Sequence, residues 1–138
     1  MDYCIVYISS TPLSEDELIR LTQRSQTNNR ALGITGVLLY FNGSVIEVLE
    51  GEQEKVNSLY EVIKRDPRHH QLIKLYDHSI PSRSFSDWFV GYKTISATEM
   101  DQFKSLIPLM EKSAPQSQNR GSVIMGLVKI FYQDNYRN

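Results

Sequence analysis

Apolar and polar positions along the chain alternate between two periods. Residues 3–8, Tyr-Cys-Ile-Val-Tyr-Ile, form a short run rich in β-branched and aromatic side chains, which predicts a buried strand. Ser14 and Glu17 have capping-box spacing, so a helix opens there. Leu18, Leu21, Ser25 and Asn28 or Asn29 then recur on one face of it. That face begins apolar and ends polar, which is unusual for a helix that only packs. Residues 33–40 and 44–49 predict a second and a third strand, joined at Asn42-Gly43, where both residues tolerate positive φ. Residues 53–65 predict a second helix, with Val56, Leu59, Tyr60 and Ile63 at i, i+3, i+4, i+7. Asp66-Pro67 closes it, since proline disfavours helix at the residue before it. Residues 72–80 and 88–94 predict two further strands, connected through 81–84.

The resulting order is βαββαββ. Its first six elements match the split-βαβ, ferredoxin-like arrangement, an α+β fold with two helices on one face of the sheet. The last third has a different pattern. Ser96 and Glu99 repeat the capping-box spacing, and Met100, Phe103, Leu106, Ile107 and Met110 follow at helical spacing, with Pro108 kinking or ending that helix. Residues 113–121 are polar and read as a loop. Residues 122–135 predict a final helix with Val123, Ile124, Leu127, Ile130 and Phe131 apolar. Two helices on one face leave the other face of the sheet bare, and a C-terminal helical pair is its natural cover. The expected organisation is a sheet domain over 1–95 and a helical extension over 96–138 packed on the same domain.

Composition narrows the function classes. The 138 residues are 41% apolar and 22% charged, enough for one hydrophobic core. Lys and Arg number 15 against 16 Asp and Glu, a net charge of -1 that argues against a strongly basic nucleic-acid binder. One cysteine, Cys4, allows no internal disulfide framework. No stretch approaches the roughly 20 apolar residues of a membrane span. The start carries no basic and apolar leader pattern, so a cytoplasmic protein without membrane attachment is expected. Enzyme templates fail. Gly33-Ile34-Thr35-Gly36 is no phosphate loop, no Gly-x-Ser-x-Gly elbow exists, and Ser9-Ser10-Thr11-Pro12 is not an arginine-bearing glycine loop. His69 and His70 are adjacent and would point to opposite faces of a strand, which suits no metal site.

What remains is a set of polar residues beside apolar strands: Tyr7, Ser25, Asn29, Glu47, Arg68 and His69. Glu47 is the most informative, because strand alternation puts it on one face with Val45 and Leu49. An ionised carboxylate there is costly unless paired. Three readings follow: an edge strand, an ion pair with Arg68 or another base, or a face lining a ligand pocket. Tyr7 shares its face with Tyr3 and Ile5. A buried tyrosine finds a partner for its hydroxyl, and Glu47 would supply one.

These residues fall within a wider pattern. The strand ending at Tyr7 is followed by Ser25-x-x-x-Asn29, by 32–38 (Leu-Gly-Ile-Thr-Gly-Val-Leu), and by Gly43 and Leu49-Glu50-Gly51. Val56, Asp66-Pro67-Arg68-His69 and Arg83-x-Phe85-x-x-Trp88 complete it. In this order the sequence resembles the BLUF domain family from residue 2 to about 95. Those blue-light sensors bind flavin between the two helices of a ferredoxin-like sheet, and the C-terminal pair is similar to that of their short members. The resemblance implies a signalling protein rather than an enzyme, with FAD, FMN or riboflavin as cofactor. It implies that Tyr7 donates an electron and proton to excited flavin and that Asn29 bonds the pyrimidine edge of the ring. Arg68 and His69 would lie near the opposite part of that edge, and Ser25 and Arg30 would join the binding set. Trp88 would belong to the signalling strand with Val90. Either Arg24 or Arg30 could meet a flavin phosphate, whereas Lys55, Lys64 and Arg65 read as solvated helix surface.

The resemblance also marks departures. The family has glutamine where this chain has Glu47, an aromatic at Val45 and methionine at Val90. A glutamine amide carries donors and an acceptor and can exchange them across a bridge between tyrosine and flavin, whereas an ionised glutamate only accepts. A neutral Glu47 keeps one donor if burial raises its pKa. The expected function is therefore a flavin-binding blue-light sensor with an impaired photocycle, signalling to an unidentified protein by direct contact and self-associating. The alternative is a flavin-free interaction module on the same fold.

Overall fold

The computed structural model describes residues 2–41, 43–85, 87–92 and 98. Its elements are β1 (Asp2–Ser10), α1 (Glu15–Ala31), β2 (Thr35–Phe41), β3 (Ser44–Gly51), α2 (Gln53–Arg65), β4 (His70–Ile80) and β5 (Trp88–Tyr92). The five strands form one sheet in the order β4-β1-β3-β2-β5. All neighbours are antiparallel except β2 and β5, which run parallel.

Both ends of α1 are set by local chemistry. At the start, Ser14 N–H donates to Glu17 Oε1 and Glu17 N–H donates to Ser14 Oγ, each at 3.2 Å, so the capping box forms as its spacing predicts. At the end, Gly33 N–H donates to the Arg30 carbonyl at 3.1 Å and Ile34 N–H to the Asn29 carbonyl at 2.8 Å. Gly33 sits at φ +71°, the left-handed position where an L side chain is disfavoured. This pair of bonds is a Schellman motif. It corrects the expected second strand, which begins at Thr35 rather than Gly33 because Gly33 and Ile34 end the helix. It also fixes the backbone of Asn29.

Strand alternation sorts the core. Ile5, Tyr7, Leu38, Tyr40, Val45 and Leu49 lie on one face with Leu18 of α1 and Val56 and Tyr60 of α2, so both helices cover the same side. Burying each such side chain contributes about 1.5–3 kcal/mol. Cys4, Val6, Val37, Leu39, Ile46 and Val48 hold the alternate positions, and all are buried. Gly43, at φ +87°, turns the two-residue connection between β2 and β3 as the Asn42-Gly43 signal predicts. β4 begins at His70, two residues before the predicted start. Two register shifts against β1, with Gln71 at φ +51°, extend the pairing to its end, where His70 lies opposite Ser10.

The connection from β4 to β5 is held at several points. The carboxylate of Glu50, fully buried, accepts from Ser84 N–H at 3.0 Å and Phe85 N–H at 2.9 Å. Arg83 donates to the Gly33 carbonyl at 2.6 Å and pairs with Asp2 at 3.1 Å. Arg30 of α1 pairs with Asp87 at 3.0 Å, and the Asp87 carbonyl accepts from Gly36 N–H. Phe85 is core, as expected. Together these fix where β5 starts and place Trp88 opposite Gly36 and Val90 opposite Leu38. β5 is described to Tyr92. The predicted helices over 96–138, with Tyr132 and Tyr136, fall outside the described residues apart from position 98.

Replacing Glu50 with Ala leaves two backbone donors at the core edge without their acceptor. We expect a loss of about 2–3 kcal/mol in urea unfolding, whereas Arg30→Ala, which breaks an exposed, solvent-screened pair, costs much less.

Candidate functional site

Tyr7 and Glu47 are cross-strand partners on β1 and β3. β3 lies between β1 and β2, so the edge-strand reading of Glu47 is corrected: both groups project from the middle of the sheet. The Tyr7 hydroxyl donates to Glu47 Oε1. Tyr7 is fully buried and Glu47 is 5% exposed. Burial pushes the Glu47 carboxyl up to about 7, against a smaller pull downward from the Tyr7 hydrogen bond. Burial first, and the Glu47 charge second, hold the Tyr7 phenol well above its ordinary range. Two rings brace Tyr7 edge-on, Tyr60 at 5.9 Å and His69 at 6.0 Å between centroids. Lys74 lies 4.7 Å above the Tyr60 ring.

The ion-pair reading of Glu47 is also corrected. Arg68 turns to Asp66, with Nε 2.9 Å from Oδ1, and holds that carboxyl down at about 2. The Arg68 N–H donates to the same oxygen at 2.9 Å, closing a tight turn around Pro67. His69 follows, half-buried, with Nδ1 2.9 Å from Ser9 Oγ. Burial lowers its pKa.

These residues border a cleft of about 320 Å³ between α1 and α2. Its floor is Tyr7, Glu47 and Leu38. One wall is Leu18, Leu21, Thr22, Ser25, Asn28 and Asn29 of α1. The other is Leu59, Val62 and Ile63 of α2 with Asp66, Arg68 and His69 beyond it. The apolar-to-polar face read from α1 is thus the wall of a cleft. Ser25 Oγ donates to the Leu21 carbonyl at 3.1 Å. Asn29 is 3% exposed, and its side-chain amide has no hydrogen-bond partner among the described residues. A buried amide without a partner costs about 1–3 kcal/mol, so the cleft presents donors and an acceptor to something else.

Six of the residues singled out from sequence meet here: Tyr7, Ser25, Asn29, Glu47, Arg68 and His69. Arg30 does not. Sequence reasoning puts it in the binding set; the structure directs its guanidinium to Asp87, away from the cleft lining. Trp88 and Val90 are placed by register on β5 alone. Sequence reasoning missed Thr22, Leu59 and Ile63 as lining, although their helical spacing from Ser25 and Tyr60 carries the signal. Asp66 as the partner of Arg68 carries no such signal. Among the described residues no His, Cys, Asp and Glu group could hold a metal, and no helix is long and apolar enough to cross a membrane.

Comparison with known proteins agrees with this geometry. A family model described as sensors of blue-light using FAD matches residues 3–91. The photoactivated adenylate cyclase subunit beta of Euglena longa is 29% identical over 110 residues, 78% of this chain and 12% of that protein. The blue light- and temperature-regulated antirepressor BluF of Escherichia coli is 31% identical over 70 residues, 51% of this chain and 17% of that protein. The chain therefore spans about an eighth to a sixth of the length of these curated relatives. Among solved structures, the ground state of BlsA superposes with a TM-score of 0.65 at 26% identity, covering 92% of this chain and 87% of that one. A bacterial light-regulated adenylyl cyclase gives 0.65 at 32%, covering 98% and 39%. The chain belongs to the BLUF family of flavin-binding blue-light sensors. The cleft suits a flavin: its floor and walls are largely apolar, as a flat ring requires, and the unpartnered Asn29 amide faces the place where a polar ring edge needs partners.

Glu47 makes stability depend on pH. Between its ordinary pKa of 4.5 and about 7, the unfolded chain has released a proton that the folded chain keeps, so stability falls as pH rises through this window. The full effect is about 3 kcal/mol. His69, whose pKa is lowered on folding, acts with the opposite sign as pH falls below 6.5. Urea unfolding of the flavin-free chain at pH 5 and pH 8 isolates Glu47 by comparison with Glu47→Gln. The variant is expected to lose the Glu47 decline and gain relative stability at pH 8.

Proposed function

We propose that this chain binds flavin in the cleft between α1 and α2 and acts as a blue-light sensory protein whose photoresponse is weakened by Glu47. The observation that carries the reading is the gathering of the Tyr7–Glu47 pair, the unpartnered Asn29 amide and His69 around one apolar cleft. Flavin, when bound, supplies the blue-light absorption and the one-electron redox chemistry. The chain supplies position and protons. Asn29 gives the ring a donor and an acceptor. Ser25, Arg68 and His69 shape the wall and mouth. Arg30 has no part in binding and serves to hold the start of β5.

Tyr7 keeps its proton at any ordinary pH and points it at Glu47. A neutral Glu47 accepts from Tyr7 on one oxygen and has a single O–H to offer a cofactor acceptor. It lacks the second donor that lets an amide reverse the bridge in place. An ionised Glu47 offers no donor and repels the carbonyl edge of the ring. Binding is therefore permitted and rearrangement after light restricted.

The sensor is assigned to residues 1–95, of which 3–91 match the family. No catalytic activity is assigned to the chain itself. Several relatives are named as light-regulated cyclases, in which the matching part is a small share of the whole. By analogy the output here is contact with a separate protein or a second copy of this chain, from the trailing residues beyond β5. A cytoplasmic location accords with such a role.

The purified chain is expected to bind flavin and turn yellow, and Asn29→Ala to weaken that affinity about tenfold or more, read by flavin fluorescence. Under blue light the dark-to-lit red shift is expected to be weak, and Glu47→Gln to enlarge it. A colourless chain that takes up no added flavin supports the flavin-free interaction module instead.

A further inference from the structure

Neither Lys74 nor Tyr60 lines the cleft, yet both are neighbours of Tyr7. Lys74 reaches this place because β4 is irregular. Val6 lies opposite Tyr76 and Tyr7 opposite Lys74, so one step on β1 spans two on β4, and Leu75 is the extra residue. In a regular ladder Leu75 would oppose Tyr7, and Lys74 would oppose Ile8 on the other face of the sheet. The bulge instead sets Lys74 on the face of Tyr7, together with Asp77 opposite Ile5. Lys74 Nζ lies 2.7 Å from Asp77 Oδ2, a contact that two strand residues three apart do not make in a regular strand. The other Asp77 oxygen accepts from the Tyr3 hydroxyl. Burial, and then Asp77, push the Tyr3 phenol up to about 12, so it stays a donor at ordinary pH. Held in this way, the Lys74 ammonium stands 4.7 Å from the centre of the Tyr60 ring, within cation–π range. Tyr60 is buried and meets the Tyr7 ring edge-on.

We infer that Lys74 is a positioning residue for the Tyr7–Glu47 pair, acting through the Tyr60 ring. The inference rests on the reading above only for the use to which that pair is put. Rotation of the Tyr7 side chain aims its hydroxyl, and a hydrogen bond weakens steeply with misalignment. The rings of Tyr60 and His69 limit that rotation. Each is itself tied down, His69 by Ser9 and Tyr60 by Lys74. The side chains of Lys74 and Asp77 are 34% and 17% exposed, so their ion pair is screened and adds little to stability. Its consequence is direction: Tyr3 fixes Asp77, Asp77 fixes Lys74, and Lys74 keeps Tyr60 against Tyr7.

The test is the Tyr7 Cζ resonance of the flavin-free full chain, with its tyrosines carrying carbon-13 at that atom. Tyr7→Phe identifies the resonance, and Glu47→Ala gives its position when the hydroxyl has lost its partner. Lys74→Met and Asp77→Asn are each expected to move it part of the way toward that position. Lys74→Arg, which keeps a cation over the ring, is expected to leave it near its original place. A direct effect of charge gives shifts of opposite sign, because one variant loses a cation and the other an anion. Opposite shifts would overturn the proposal, and so would a resonance that neither variant moves. In a Tyr60→Leu chain, Lys74→Met is expected to add nothing to the shift that Tyr60→Leu causes alone, and additive shifts would contradict action through the ring. Urea unfolding of Lys74→Met is expected to change little, so that the shift at Tyr7 is not general loosening. With no flavin in the sample, the two readings fail separately: a chain that takes up no flavin ends the sensory reading and leaves the role of Lys74 standing.

Discussion

The structure depends on one buried contact, the hydrogen bond from the Tyr7 hydroxyl to the Glu47 carboxyl across β1 and β3. A carboxyl in the middle of a sheet must be neutral, paired, or both. Here burial favours the neutral form and Tyr7 supplies a bond. The remaining site groups are arranged around that pair. Tyr60 and His69 brace the Tyr7 ring, the register shifts of β4 bring His69 beside Ser9, and the Schellman end of α1 holds Asn29 at the same cleft. Each is a local backbone device whose product is a side chain at the cleft.

The same sheet links the site to its far side. Glu47 and Glu50 are three residues apart on β3 and so point to opposite faces. One meets Tyr7, and the other holds the backbone of Ser84 and Phe85 ahead of β5. Asn29 and Arg30 are likewise neighbours on α1, one at the cleft and one paired with Asp87. The floor of the cleft therefore has two short routes to the start of β5, one ending in the Glu50 hydrogen bonds and one in the Arg30–Asp87 ion pair. The family to which the chain belongs is one of sensors, and such routes are what a sensor domain requires to pass a change outward.

Much of this was legible in the sequence because it follows from period and capping. The βαββαββ order, the Ser14 box, the Asn42-Gly43 turn and the shared face of Tyr7 and Glu47 all come from local rules. Gly33 was misread because a glycine between a helix and an apolar run suits either a strand start or a helix end. Only the bonds from Gly33 and Ile34 back to Arg30 and Asn29 decide it. The partners of Arg30, Arg68 and Glu50 were not legible. Each depends on which loop passes a given side chain in space, and single-chain periodicity carries no such information. Glu47 was legible as a carboxyl on an apolar strand face, but its consequence depends on a degree of burial that only the packed structure gives.

The central claim is that Glu47 is a neutral carboxylic acid at mildly acid pH, bonded to Tyr7. The most direct measurement is the infrared spectrum of the chain in the carboxyl C=O stretch region across the neutral pH range. A protonated-carboxyl band is expected at pH 6, fading with a midpoint near 7, perturbed in Tyr7→Phe and absent in Glu47→Gln. A Glu47 that is fully ionised at pH 6, with no such band to lose, would contradict the account.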